Sequence, residues 1–175
     1  MPHSSDIFIF EVEKYIKEIQ PSHVLDIGAG AGKYGNLVKR LFPETYIEAV
    51  EPDESYIHRF NLSSIYTTIQ QMTAREYVQK MWGSIQTYDL IICGDVIEHM
   101  FKSEGKDILE FFCYRSKHIL VLYPDHYIQY NFEDSHPLEN HVSIWHEGDF
   151  SNFDFTIEHK PPLHMVKIKG YLSTT

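Results

Sequence analysis

Cysteine, basic side chains and long apolar runs are all scarce in this 175-residue chain. The two cysteines, Cys93 and Cys113, sit inside apolar stretches without metal-type spacing, which points to buried reduced thiols rather than a disulfide framework or a zinc site. Lysine and arginine total 15 against 25 aspartates and glutamates, giving a formal charge of −10. Binding to a long polyphosphate backbone is driven by basic side chains that release counterions, so this balance argues against a nucleic-acid partner and favours a small or uncharged one. No apolar run approaches the roughly 20 residues needed to cross a bilayer. The opening MPHSSDIFIFEVEK lacks the basic and apolar regions of a secretory leader. These absences read as a soluble cytoplasmic protein, one domain over residues 1–175, which at this length buries roughly 70% of its unfolded surface.

What the chain does have is histidine and alternating periodicity. Five of its 11 histidines (His99, His126, His136, His141 and His146) fall between positions 99 and 146. SDIFIFEVEKYIKEI (5–19) sets Ile9, Val12, Tyr15, Ile16 and Ile19 at helical spacing, a leading amphipathic helix within residues 1–20. HVLDIGAG (23–30) then predicts a strand and glycine turn, YGNLVKRLF (34–42) a helix, and YIEAVEP (46–52) a second strand. A short helix near 54–60, a strand near 64–69, a helix at 73–82 and the strand YDLIICGD (88–95) continue the order. KDILEFFCYRS (106–116) predicts another helix and KHILVLYP (117–124) a fifth strand. Such βαβα alternation is the pattern of a parallel sheet with helices on both faces. Residues 125–147 lose periodicity and read as an irregular substrate-side segment, after which FDFTIEH (153–159) and HMVKIKGYL (164–172) form an antiparallel pair about a Pro-Pro turn.

The glycine turn VLDIGAGAG (24–32) lies between strand and helix, where backbone amides can approach a ligand closely. Its glycines at 28, 30 and 32 give G-x-G-x-G; Lys33 stands where the dinucleotide fingerprint needs its third glycine, which disfavours a nicotinamide or nucleotide-sugar enzyme. Asp26 ends the first strand, and Glu51 ends the second, where a carboxylate can accept both hydroxyls of a ribose. A glycine turn can also serve a tight connection alone; the turn, both acids and the strand order together point to an adenosine site.

On VLDIGAGAG, AVEPD and YDLIICGDVIEHM the sequence resembles the class I S-adenosylmethionine-dependent methyltransferases, over about residues 20–125, with the two terminal strands fitting the same fold. The resemblance implies a Rossmann-like three-layer αβα sandwich, its seven-stranded, mostly parallel sheet ordered 3-2-1-4-5-7-6 with strand 7 antiparallel. It implies S-adenosylmethionine as cofactor, contacted by Asp26, Gly28, Ala29, Gly30, Glu51, Pro52, Met72 and Asp95. The family's usual acid after strand three has no counterpart in IQQMTAREY, where Gln71, Met72 and Thr73 stand.

DVIEHM (95–100) places Asp95, Glu98 and His99 at i, i+3 and i+4, so that a turn or helix there can point them to one side, beyond the carboxyl ends of the strands. Taken alone, the trio also suits a capping carboxylate and a packed core histidine. With ENHVSIWHEGDF (139–150), however, it resembles the paired motifs of the Hen-type small-RNA 3′-terminal 2′-O-methyltransferases, and its first part an E-x-x-E-H motif of quinone-pathway O-methyltransferases. That resemblance implies Mg²⁺ or Mn²⁺ held by Asp95, Glu98, His99 and His141. Aspartate at the first place shortens that ligand's reach by one methylene. A hydroxyl is a poor nucleophile until a base or a metal lowers its pKa, so Glu98, His99 and His141 are the catalytic candidates in either case, with His99 or His141 as general base if no metal takes part.

The acidic balance favours a sugar, glycan end or other small vicinal diol over an RNA 3′ end as acceptor. Tyr123, Tyr127, Tyr130, Phe132 and Trp145 suit an aromatic wall for such a ring and equally the packing of a lid. The expected activity is O-methylation of a small hydroxyl acceptor. Alternatives are a metal-free, histidine-based methyltransferase of a small metabolite, a 2′-O-methyltransferase of an RNA 3′ end, and an inactive cofactor-binding subunit. The acceptor, the regiochemistry and the oligomeric state stay open at this level.

Overall fold

Successive residues of a strand point to opposite faces, and here both faces are apolar. The computed structural model describes residues 5–127 and 137–174. It contains β1 (His23–Ile27), β2 (Tyr46–Val50), β3 (Thr68–Gln70), β4 (Tyr88–Gly94), β5 (Ser116–Pro124), β6 (Asp154–Lys160) and β7 (Leu163–Lys169) in one sheet ordered β3-β2-β1-β4-β5-β7-β6. The first five strands pair in parallel, and β7 runs antiparallel to both β5 and β6. This is the expected topology.

The helices are α1 (Ile9–Ile19), α2 (Lys33–Leu41), α3 (Glu54–Arg59), α4 (Ala74–Lys80) and α5 (Lys102–Cys113). In β4, Leu90 and Ile92 join the core that holds Val12 and Ile16 of α1 and Leu37 and Val38 of α2. The alternate residues Ile91 and Cys93 face Tyr77 of α4 and Ile108, Leu109 and Phe112 of α5. Each such aliphatic side chain removed from water contributes about 1.5–3 kcal/mol, so the two-sided pattern, rather than helix propensity, fixes the layers. Both cysteines are buried thiols.

Several elements differ from their predicted bounds, and three of them are instructive. The third strand is short, Thr68–Gln70 against the expected 64–69, and follows a 3₁₀ turn over Leu62–Ser64. Helix α4 begins at a capping box in which Thr73 accepts from the Glu76 amide while the Glu76 carboxylate accepts from the Thr73 amide. Helix α5 begins four residues before the predicted start and carries Gly105 in its first turns. A glycine there weakens a helix by about 1 kcal/mol, but a Cβ on Gly105 would lie 2.5 Å from Cζ2 of Trp145, so the indole requires it. No helix among the described residues is long and apolar enough to cross a membrane.

Candidate active site

The carboxyl ends of β1, β2 and β4 open into one pocket of about 120 Å³. Gly28, Ala29, Gly30, Glu51, Pro52 and Asp95 line it, together with Lys33, Tyr34, Tyr56, Gly94, His99, Leu138 and Glu139. Gly28 and Gly32 have φ of +71° and +77°, a region that L side chains rarely adopt. A Cβ on Gly28 would also meet Val96 Cγ2 at 2.5 Å, so the turn is closed to any larger residue. Asp95, directly after β4, also takes a positive φ of 54°, a backbone state that aspartate tolerates better than most residues.

Glu51 is 4% exposed, yet both its oxygens are engaged. Oε2 accepts from the Gly30 amide at 2.7 Å, and Oε1 from the Asp53 amide at 2.9 Å. Burial raises its pKa, and these two amides oppose the shift. The carboxylate is thus a fixed acceptor tying the glycine turn to the start of α3.

Two residues expected at the cofactor stand elsewhere. Asp26 is buried below the turn, does not line the pocket, and accepts from the Tyr66 hydroxyl at 2.5 Å. Burial pushes its pKa up to about 7 against the lowering effect of that bond. Met72 packs on the core between the sheet and helices α4 and α5, and it too is absent from the pocket lining.

DVIEHM forms a 3₁₀ turn over Ile97–His99. Its three polar residues divide: Asp95 lines the pocket, Glu98 is buried at 2% exposure, and His99 reaches both the pocket and a cluster beyond it. In that cluster Glu98, His99 and His141 each offer a ligand atom, all within 4.8 Å of one another. The His99 and His141 rings meet edge to face with centroids 4.8 Å apart. Glu98 Oε2 has no hydrogen-bond partner among the described residues. Burial, with the Asp95 charge adding to it, holds the Glu98 carboxyl well above the usual range. Burial lowers the pKa of His99, and it lowers that of His141 to about 4, so both imidazoles are neutral at pH 7. His99 Nδ1 donates to the Asn140 carbonyl at 3.3 Å, which leaves Nε2 with its lone pair exposed for a ligand.

His141 is brought here by tertiary contacts. The amides of Val142 and Ser143 both donate to the Glu98 carbonyl, at 2.8 and 3.2 Å, and the Trp145 indole donates to the Ile97 carbonyl at 3.1 Å. Trp145, 1% exposed, is therefore a buried anchor, and Tyr123, 0% exposed, lies stacked on Phe150 in the same core. Neither can form the acceptor wall considered above; Tyr127 is half exposed, and Tyr130 and Phe132, like His136, lie outside the described residues. Sequence reasoning missed Tyr34, Tyr56, Leu138 and Glu139. Only Gly94 carried a signal: a glycine closing a strand, which here admits the Tyr34 ring, since a Cβ would come within 2.0 Å of it.

This architecture recurs among solved structures. The plantazolicin methyltransferase BpumL, in complex with SAH, superposes with a TM-score of 0.67 at 14% identity over 93% of this chain and 83% of its own. The chain has the Rossmann-like fold of these methyltransferases. A putative O-methyltransferase from Nostoc punctiforme PCC 73102 matches with a TM-score of 0.66 at 16% identity, over 93% of this chain; this chain spans little more than half, 56%, of that protein. The methyltransferase domain of bacterial CtHen1-C matches with a TM-score of 0.64 at 16% identity, over 94% of this chain and 97% of its own. No family profile matches the sequence, and no curated protein sequence matches it.

Proposed function

We propose that the protein is an S-adenosylmethionine-dependent O-methyltransferase of a small hydroxyl acceptor, a sugar, glycan end or other vicinal diol, assisted by a divalent cation. The observation that carries this reading is His99, which lines the pocket beside the glycine turn and also belongs to the Glu98–His99–His141 cluster. A pocket built on the glycine turn and a mixed carboxylate–imidazole set thus share a wall.

The pocket fits the cofactor on its own features. Gly28 and Gly30 allow close backbone approach, and Glu51 is fixed with lone pairs to spare for two ribose hydroxyls. S-adenosylmethionine supplies an electrophilic methyl group when bound. The cluster fits Mg²⁺ or Mn²⁺: an oxygen ligand without a partner and two neutral imidazoles lie close enough to hold one ion. The cation supplies a charge that lowers the pKa of an acceptor hydroxyl. Glu98, His99 and His141 would hold it, while Asp95, next to the cluster and in the pocket, adds negative charge between the two sites. The protein's part is to orient the acceptor oxygen toward the pocket. With a pKa of about 4, His141 is a weak base, which favours the ligand role over metal-free general-base transfer.

Titration calorimetry tests both halves. Binding of S-adenosylmethionine and of Mn²⁺, with Mn²⁺-dependent methyl transfer to a panel of sugars and diols, is the expected result. No S-adenosylmethionine binding at millimolar ligand overturns the reading, and binding without transfer to any acceptor favours the cofactor-binding subunit.

A further inference from the structure

One contact joins the two halves of the site and belongs to neither set of candidate ligands. The Tyr56 hydroxyl, from α3 on one bank of the pocket, donates to Glu139 Oε1, from the 3₁₀ turn 137–139 on the other bank. Leu138 and Glu139 line the pocket, and His141, two residues on, carries the third ligand of the cluster. Between them the Asn140 carbonyl accepts from His99. Five consecutive residues, 138–142, thus touch the cofactor pocket, the ligand cluster and the backbone of the 97–99 turn. Beyond them the chain is tied down by Trp145.

We infer that Tyr56 and Glu139 are positioning residues that make cofactor and cation bind cooperatively, each ligand tightening the other through the 138–141 segment. The inference rests on the function proposed above. Its physical basis is the cost of ordering. Holding an irregular segment in one conformation costs backbone entropy, and the ligand that binds first supplies that ordering for the second. A cation on His141 fixes the segment at one end, and Leu138 and Glu139 are thereby held against the pocket. A cofactor seated under Leu138 and Glu139 fixes the other end and holds His141 in the cluster. The Tyr56–Glu139 hydrogen bond ties the segment to α3, and α3 follows directly on Glu51, Pro52 and Asp53. By thermodynamic reciprocity the two ligands must raise each other's affinity by the same factor.

The test is calorimetry of SAH binding to the full chain with and without saturating Mn²⁺, and of Mn²⁺ with and without SAH. The wild-type protein should bind SAH about 5-fold or more tightly with Mn²⁺ present, with an equal gain for Mn²⁺ when SAH is present. Tyr56→Phe and Glu139→Ala should bring the ratio to about 1, whatever they do to the affinity for either ligand alone. Glu139→Gln keeps an acceptor oxygen for Tyr56 and should retain the coupling, which a purely structural role for residue 139 would not require. Should one variant fail to fold by circular dichroism, the substitution on the opposite side of the contact decides. A ratio of 1 in the wild type with both ligands bound overturns the inference and leaves the proposed function standing, as does undiminished coupling in Tyr56→Phe. Failure to bind SAH overturns the function itself; SAH binding without Mn²⁺ binding removes the cation and the coupling together.

Discussion

Glu51 and Glu98 are both buried glutamates at the carboxyl edge of the same sheet, at 4% and 2% exposure, yet their surroundings differ in kind. Glu51 has a backbone amide on each oxygen, from Gly30 and Asp53, so its charge is fixed by the loop that carries it. Glu98 has an oxygen with no partner among the described residues, lies near a second carboxylate, and is held well above the usual carboxyl pKa by burial. A buried ionisable group left unsatisfied costs stability unless something pairs with it. The first region is complete as a binding surface; the second is complete only with a cation or a proton.

Substitutions in both regions set this contrast at risk. Trp145→Ala removes the anchor of the second region and should cost about 3–5 kcal/mol in denaturant unfolding. Mn²⁺ affinity should fall further than SAH affinity, because the glycine turn and Glu51 are untouched. Gly28→Ala attacks the first region: a Cβ 2.5 Å from Val96 Cγ2 at φ +71° should destabilise the fold by about 1–3 kcal/mol and weaken SAH binding at least about tenfold, with Mn²⁺ affinity changed far less.

The two glutamates themselves should respond with opposite signs. Glu51→Met leaves two amides without an acceptor and is expected to lower stability by about 1–3 kcal/mol. Glu98→Met removes an unsatisfied buried acid, so the metal-free protein should be as stable or more stable while Mn²⁺ binding disappears. Equal destabilisation by both would show that Glu98 is a structural acid like Glu51.

The smallest effect concerns Asp26, whose carboxyl is raised from 3.8 to about 7 by burial. A raised carboxyl favours the protonated form in the folded state, so its stabilising contribution is full below pH 3.8 and is lost as pH rises to about 7. Asp26→Asn should flatten that part of the stability profile, read as the difference in urea midpoint from wild type across this window.

Legibility followed the same divide. The glycine turn, Glu51, Pro52 and Asp95, which line the pocket, are legible in the sequence because each lies within a few residues of a strand end, where alternation and glycine spacing report directly on the backbone. Tyr56, Leu138 and Glu139 gave no comparable signal, since an exposed-looking tyrosine and an irregular stretch become a pocket wall only when α3 and the 137–139 turn meet across it. Gly105 lies ahead of the start predicted for α5 and gives no local sign of its role, which is to make room for the Trp145 indole 40 residues away. Tyr123 and Trp145 looked equally suited to a ligand wall or to packing, and burial assigned both to the core.

The sequence by itself determined the order of strands and helices, the two-sided sheet and the glycine turn, because these depend on periodicities of two and 3.6 residues and on backbone freedom at single positions. Only the tertiary structure decided that Asp95 faces the pocket, that Glu98 turns toward His141 with His99 reaching both, and that Asp26 lies beneath the pocket with Tyr66. A 3₁₀ turn and a positive φ separate side chains that their spacing would have grouped, and partners 40 residues apart are joined by packing that no local pattern encodes.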